Sequence, residues 1–274
     1  MHENIFEMNR NDHIVFYVGN IRLLLLLDDP FYLQKMKENN KSFLENENFN
    51  QTLTLEINKN SPFHKSAAEL INSKEFNSIL ISNKTVIFHR NDDFYSFYCL
   101  KNMELVEIEE LIKIVLSKHL IQENILMLHA SATFDNEKNC ANIFIGPSGA
   151  GKSTIASFSI NETLQDDTFC IKFEKDKFNL FTIPFRRDYK KLNVSVKSVS
   201  IYRIFKSDRN YLSNLNFSSQ LMHFLTSVWS FDELSVESKI NNRRIFKLAT
   251  KLLRECELTE LHFTKTGDFN KLIN

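Results

Sequence analysis

The stretch Gly146-Pro147-Ser148-Gly149-Ala150-Gly151-Lys152-Ser153-Thr154 brings three glycines, an ammonium and hydroxyl side chains together in one short run. Glycines let successive backbone N–H groups turn toward one anion, and a helix starting after them aims the positive end of its dipole at the same charge. Gly146, Gly149 and Gly151 are therefore expected to shape a cradle for nucleotide phosphates, with Pro147, Ser148, Ala150 and Thr154 completing its wall. Lys152 would reach the β- and γ-phosphates, and the Ser153 hydroxyl would ligate Mg2+. The chain has only five glycines in 274 residues, so chance yields this frame ahead of Lys-Ser about once in a thousand. The plain alternative is a structural turn.

Three further groups could act on a phosphate held there. Asp166 and Asp167 follow closely in Leu164-Gln165-Asp166-Asp167-Thr168. One carboxylate could hold Mg2+ and the other take a proton from a hydroxyl, provided that Leu164 ends an incoming strand; otherwise the pair is an ordinary solvated turn. His129 lies in an apolar run, where a histidine satisfied within the core is the usual explanation. Arg186 and Arg187 follow Ile183-Pro184-Phe185, either as a solvated loop or as cations that neutralise charge on a transferring phosphoryl group.

The elements that must position these groups are legible around them. Cys140–Ile145 is a short apolar run leading into the glycines, and Thr154–Ile160 continues as a helix, which is the strand–loop–helix setting that the motif requires. Ile125–Phe134 reads as one buried strand before a polar turn at Asp135–Asn139. Farther on, Phe178–Ile183 and Ser198–Phe205 read as strands, Ser218–Ser230 and Asn241–Cys256 as helices, and Leu261–Thr264 as a closing strand with Gly267 in the turn after it. Apolar residues from Leu105 to Leu120 recur at spacings of three and four, which predicts an amphipathic helix over Glu104–Ile121 and a domain junction near it. Upstream, His13–Val18, Gln51–Ile57, Ser78–Ile81, Thr85–His89 and Phe94–Tyr98 are strand candidates. The Asn/Glu/Lys tract Lys37–Asn50 is a mobile loop or a solvated helix or turn. The expected division is a β-rich module over residues 1–118, with no chemical signal of its own, and a nucleotide-binding domain over 119–274.

Composition excludes other classes. With 43% hydrophobic and 25% charged residues the chain can bury a sizeable core, and 34 basic residues balance 34 acidic ones. No global field draws it to nucleic acid or anionic lipid. The four cysteines show no CxxC pair and are expected to be reduced structural thiols. The N-terminus is acidic and polar, and Leu23–Leu27 is too short to cross a bilayer, so a cytoplasmic location is expected.

Taken together, Leu128-His129-Ala130-Ser131-Ala132, the hairpin, the glycine stretch and Asp166-Asp167 resemble the catalytic core of HPr kinase/phosphorylase and its serine-kinase relatives. More loosely, Pro184-Phe185 with basic residues after it and Glu260-Leu261-His262-Phe263 do so too. The resemblance covers residues 120–274 and implies an α/β fold with a PEP-carboxykinase-like P-loop core on a mixed sheet, preceded by the smaller β-rich module. It implies ATP-dependent, Mg2+-dependent phosphorylation of a hydroxyl, typically a serine of a small protein or peptide. It matches His129 to the family's active-site histidine, Lys152 to its phosphate-binding lysine, Ser153 to its Mg2+ ligand and Asp166-Asp167 to its acidic pair, with Asp167 the leading base or metal-contacting group. Glu174, Arg186 and Arg187 are candidates for the family's further glutamate and arginine. Family enzymes are often hexameric, but the N-terminal module does not match theirs, so a homo-oligomer stays open. The alternative function is a nucleotide-binding sensor or scaffold without transfer. An ordinary P-loop NTPase is disfavoured, because no apolar strand ends in the aspartate that class needs.

Overall fold

A computed structural model of the chain describes residues 13–44, 49, 51–58, 77–81, 84–91, 93–99, 103–185, 191–229 and 236–273. Over these residues the protein is mixed α/β, with six α-helices, two mixed sheets and one antiparallel sheet. Two compact units divide inside helix α2 (Leu105–Gln122), between Lys113 and Ile114, and Pro184 and Phe185 return to the first. No helix among the described residues is long and apolar enough to cross a membrane.

The first unit holds a six-stranded sheet of β1 (His13–Val18), β2 (Ile21–Leu27), β3 (Gln51–Asn58), β4 (Asn77–Ile81), β5 (Lys84–Asn91) and β6 (Phe94–Cys99), in the order β1-β2-β3-β6-β5-β4. The leucine run is β2, with Leu23, Leu25 and Leu27 fully buried and Leu24 and Leu26 only half so. That alternation is what a pleated strand imposes. β2 and β3 run parallel, so the chain must cross over between them, and α1 (Pro30–Asn39) lies in that crossover. Asp29 caps α1 by accepting from the Tyr32 N–H at 3.0 Å, and Pro30 occupies its first turn. The Lys37 tract therefore begins as a helix end and a 3-10 turn at Lys41–Phe43; its residues 45–48 and 50 lie outside the described residues. Buried Asn40 closes α1 onto the Met36 carbonyl at 2.9 Å and also accepts from the Phe185 N–H at 2.6 Å.

The second unit has two sheets. The six-stranded one runs β10-β8-β9-β14-β16-β15, from β8 (Ser131–Asp135), β9 (Cys140–Ile145), β10 (Glu162–Gln165), β14 (Ser198–Lys206), β15 (Tyr211–Asn214) and β16 (Leu258–Phe263). The four-stranded one runs β13-β12-β11-β7, from β7 (Leu126–His129), β11 (Thr168–Glu174), β12 (Lys177–Thr182) and β13 (Asn193–Val196). The helices are α3 (Lys152–Phe158), α4 (Phe217–Leu225), α5 (Val236–Glu255) and α6 (Asn270–Ile273). One core gathers Leu128, Phe169 and Leu180 of the smaller sheet, Ile143 and Ile201 of the larger, and Ala249 and Leu252 of α5. A second core, with Phe144, Ile155, Tyr202, Phe263 and Ile273, covers the opposite face of the larger sheet under α3 and α6. β9 and β14 are thus buried on both faces, as central parallel strands are.

Several expectations need correction. Ile125–Phe134 is not one strand but two, β7 and β8, which belong to different sheets and part at Ala130. An apolar run shows burial on both faces but not the point at which its hydrogen-bonding partner changes. The Leu261–Thr264 strand begins earlier, at Leu258, ends at Phe263 and lies between β14 and β15. α3 starts at Lys152, and the predicted Ser218–Ser230 helix stops at Leu225. α2 matches its predicted span, but its polar residues Ser117, Lys118 and His119 are buried along with its apolar ones. The sequence patterns mark no element at β2, β11, β13, β15, α1 or α6, and mark β10 only as a condition on Leu164. Cys140, Cys170 and Cys256 carry no disulfide, and burial pushes the Cys256 thiol up to about 12, so it stays protonated and inert.

Candidate functional site

The glycine loop joins the end of β9 to the start of α3, at the edge of the larger sheet where the parallel strands β9, β14 and β16 all end. Open α/β sheets place their ligands beyond such carboxyl ends. Gly151 precedes α3 in the left-handed conformation (φ 106°, ψ 24°), and a Cβ there would lie 3.0 Å from the Phe263 ring and 3.5 Å from Lys206 Cε. Gly149 is also left-handed, at φ 77°, but open space surrounds it. These settings separate two substitutions. Gly149→Ala is expected to cost about 1 kcal/mol of stability from backbone strain alone, and Gly151→Ala about 3 kcal/mol, because strain and collision add. Denaturant midpoints of the two variants check the ordering.

Lys152 is 8% exposed. Its Nζ donates to the carbonyls of Gly146 at 2.9 Å and Pro147 at 3.2 Å, folding the side chain over its own loop. Burial lowers the pKa of this ammonium, and the negative charge of Asp167 acts in the opposite direction.

Two chain crossings between the sheets bring the other groups to this loop. The chain passes from the smaller sheet to the larger at His129-Ala130-Ser131 and returns at Gln165-Asp166-Asp167-Thr168. The crossings run side by side, because Gln165 pairs with Ala132 in one sheet and Thr168 pairs with His129 in the other. This register places His129 Nδ1 3.8 Å from Asp167 Oδ1. Asp167 Oδ2 accepts from the Thr168 hydroxyl at 3.0 Å. The Asp166 carbonyl accepts from Ser131 Oγ at 3.0 Å and lies 3.4 Å from Ser153 Oγ, so β8 and α3 both hold the acidic pair in place. Just before the pair, the fully buried Gln165 accepts from the Ile183 N–H at 3.0 Å and donates to the Ile183 carbonyl at 3.1 Å.

The His129 side chain is 40% exposed, so the core-histidine explanation does not apply to it. Its backbone N–H donates to the Ser227 carbonyl at 2.7 Å, and the Trp229 ring meets its imidazole edge-on at 6.1 Å. The Ser227–Trp229 segment thereby occupies the outer edge of β7.

Glu174 does not reach this place. It ends β11 in an ion pair with Lys172 at 3.0 Å, six residues and about 20 Å of strand from Thr168. Arg186 and Arg187 lie outside the described residues. Among the described residues no three His, Cys, Asp or Glu side chains converge as a metal cluster. Mg2+ on a nucleotide needs none, since phosphates and water supply most of its ligands, and here the Ser153 hydroxyl and the Asp166–Asp167 carboxylates are hard oxygen donors of the required kind.

Gln165, Ser131, Thr168 and Lys206 carry no functional signal of their own in the sequence. Lys206, the last residue of β14, donates from Nζ to the Gly149 carbonyl at 2.7 Å. Nothing local in Arg203-Ile204-Phe205-Lys206 points to the loop. Only the pairing of β14 with β9 does. No family model matches the chain, and no curated protein sequence does.

Proposed function

We propose that the chain is an ATP-dependent kinase that transfers the γ-phosphate to a hydroxyl, in the first instance a serine of a small protein or peptide, from a PEP-carboxykinase-like P-loop core. The observation that carries this reading is the convergence of Asp167 with His129 beside the buried ammonium of Lys152. A cation for the phosphates and a carboxylate for the acceptor proton are the two groups that phosphoryl transfer asks of a protein.

In this reading the loop N–H groups and Lys152 bind the triphosphate. Asp167 accepts the proton of the attacking hydroxyl as the new O–P bond forms and the bond from the γ-phosphorus to the β,γ-bridging oxygen breaks, with ADP leaving. His129 orients the carboxylate and polarises the acceptor. Ser153 and Asp166 would hold Mg2+, which would neutralise charge along the phosphates, leaving Asp167 to take the proton.

The deciding measurement is titration of the wild type and Lys152→Ala with Mg-ATP. Wild-type binding weakened by about 100-fold in the variant is expected. A phosphate beside Lys152 also raises its pKa, so binding should take up protons at alkaline pH, and affinity should fall as pH rises through the lowered pKa of the free protein. No binding would overturn the nucleotide reading. Binding without turnover, even over added seryl peptides, would replace the kinase with a nucleotide sensor or scaffold.

A further inference from the structure

We infer that Lys206 is a second phosphate-binding cation of this site, releasing the Gly149 carbonyl to take a phosphate of a bound nucleoside triphosphate. The inference rests on the nucleotide reading above and adds a specificity-determining residue to it.

Backbone pairing fixes the position of Lys206. Arg203 stands opposite Ile145, the last residue of β9, so Lys206 lies three residues beyond, level with the glycine loop. Lys206 is also paired with Phe263 of β16, whose carbonyl accepts from the Ser207 N–H at 2.9 Å. The lysine stem runs along the loop, with its Cε 3.5 Å from where a Cβ on Gly151 would stand, and its ammonium ends 2.7 Å from the Gly149 oxygen.

The contact is exposed, and among the described residues no carboxylate pairs with this ammonium. Its partner in that contact is a neutral carbonyl, a weaker acceptor than a phosphate oxygen, so exchange toward an arriving phosphate is favourable. Lys152 is held in the same manner at the start of the loop, on Gly146 and Pro147. Two ammoniums parked on different carbonyls of one loop can meet different phosphates of one chain. A triphosphate carries more negative charge than one ammonium and one Mg2+ neutralise, which leaves work for a second cation. Lys206 fills the cationic role for which Arg186 and Arg187 were the sequence candidates.

The test is calorimetric titration of ATP, ADP and AMP, each with Mg2+, into the wild type, Lys206→Met and Lys206→Arg, with unfolding midpoints measured in parallel. Lys206→Met should weaken ATP by about 10- to 100-fold and AMP by less than about threefold at an unchanged midpoint, and Lys206→Arg should recover most of the loss. Equal ATP affinity in wild type and Lys206→Met would overturn the inference. So would an equal loss for all three nucleotides without recovery in Lys206→Arg, the signature of a residue that merely props the loop. If the wild type binds no nucleotide, the underlying reading falls as well. If Lys152→Ala abolishes binding and Lys206→Met does not, only the assignment of Lys206 falls.

Discussion

The Asp167→Asn variant is expected to lose phosphoryl transfer by about 10²- to 10⁴-fold while holding Mg-ATP within about threefold of the wild type. The amide has the shape of the carboxylate and can still accept from Thr168 Oγ1, so the crossing between the sheets keeps its geometry. What disappears is the ability to accept a proton 3.8 Å from His129. On the proposed reading binding persists, because Lys152 and the loop, which would contact the phosphates, are untouched, and the effect therefore falls on kcat rather than on affinity. Comparing calorimetric affinity with single-turnover rates on an accepted seryl peptide separates the two. An Asp167→Asn variant that transfers phosphate at the wild-type rate would remove Asp167 from the proton-accepting role.

Gln165→Leu should cost about 2–5 kcal/mol of folding stability. Leucine is close in size to glutamine, so no cavity opens. The loss comes instead from two backbone groups of Ile183, an N–H and a carbonyl, which forfeit their Gln165 partners in a place that water does not reach. Each orphaned buried group costs about 1–3 kcal/mol. Gln165 directly precedes the acidic pair, and the clamp on Ile183 sets where β10 ends and where Asp166 begins. Loss of turnover beyond the fraction unfolded is therefore also expected. Chemical denaturation with an unchanged m-value would attribute the loss to the native state. A change below about 0.5 kcal/mol would mean that Ile183 finds other partners.

The glycine stretch was legible because its demands are local. Backbone conformations open chiefly to glycine, the residue type at the anion and the flanking apolar run all lie within a few residues of one another, and types and spacing were enough to find the strand, loop and helix. α2 was legible for the same reason: its apolar spacing alone marks its span. The pairs Asp166–Asp167 and Lys152–Ser153 could be named as candidates, yet residue type alone left a solvated turn as the alternative for the first and a structural turn for the second. β11 was missed although it is the strand on which His129 registers, since nothing local in Thr168–Glu174 announces its partners.

What the amino-acid sequence determined by itself is the loop at Gly146–Gly151, the lysine behind it and the mixed α/β character of the chain, each set by contacts within a turn or a strand. Tertiary structure alone decided that the chain leaves one sheet at Ala130 and returns at Asp166-Asp167, so that His129 meets Asp167 across 38 positions of sequence. It also decided that β14 lies beside β9, so that Lys206 touches Gly149 across 57. The physical reason is register. Which strands pair, and at which residue, depends on how the whole set of apolar faces can be buried at once, and no window of sequence around His129 or Lys206 contains that information.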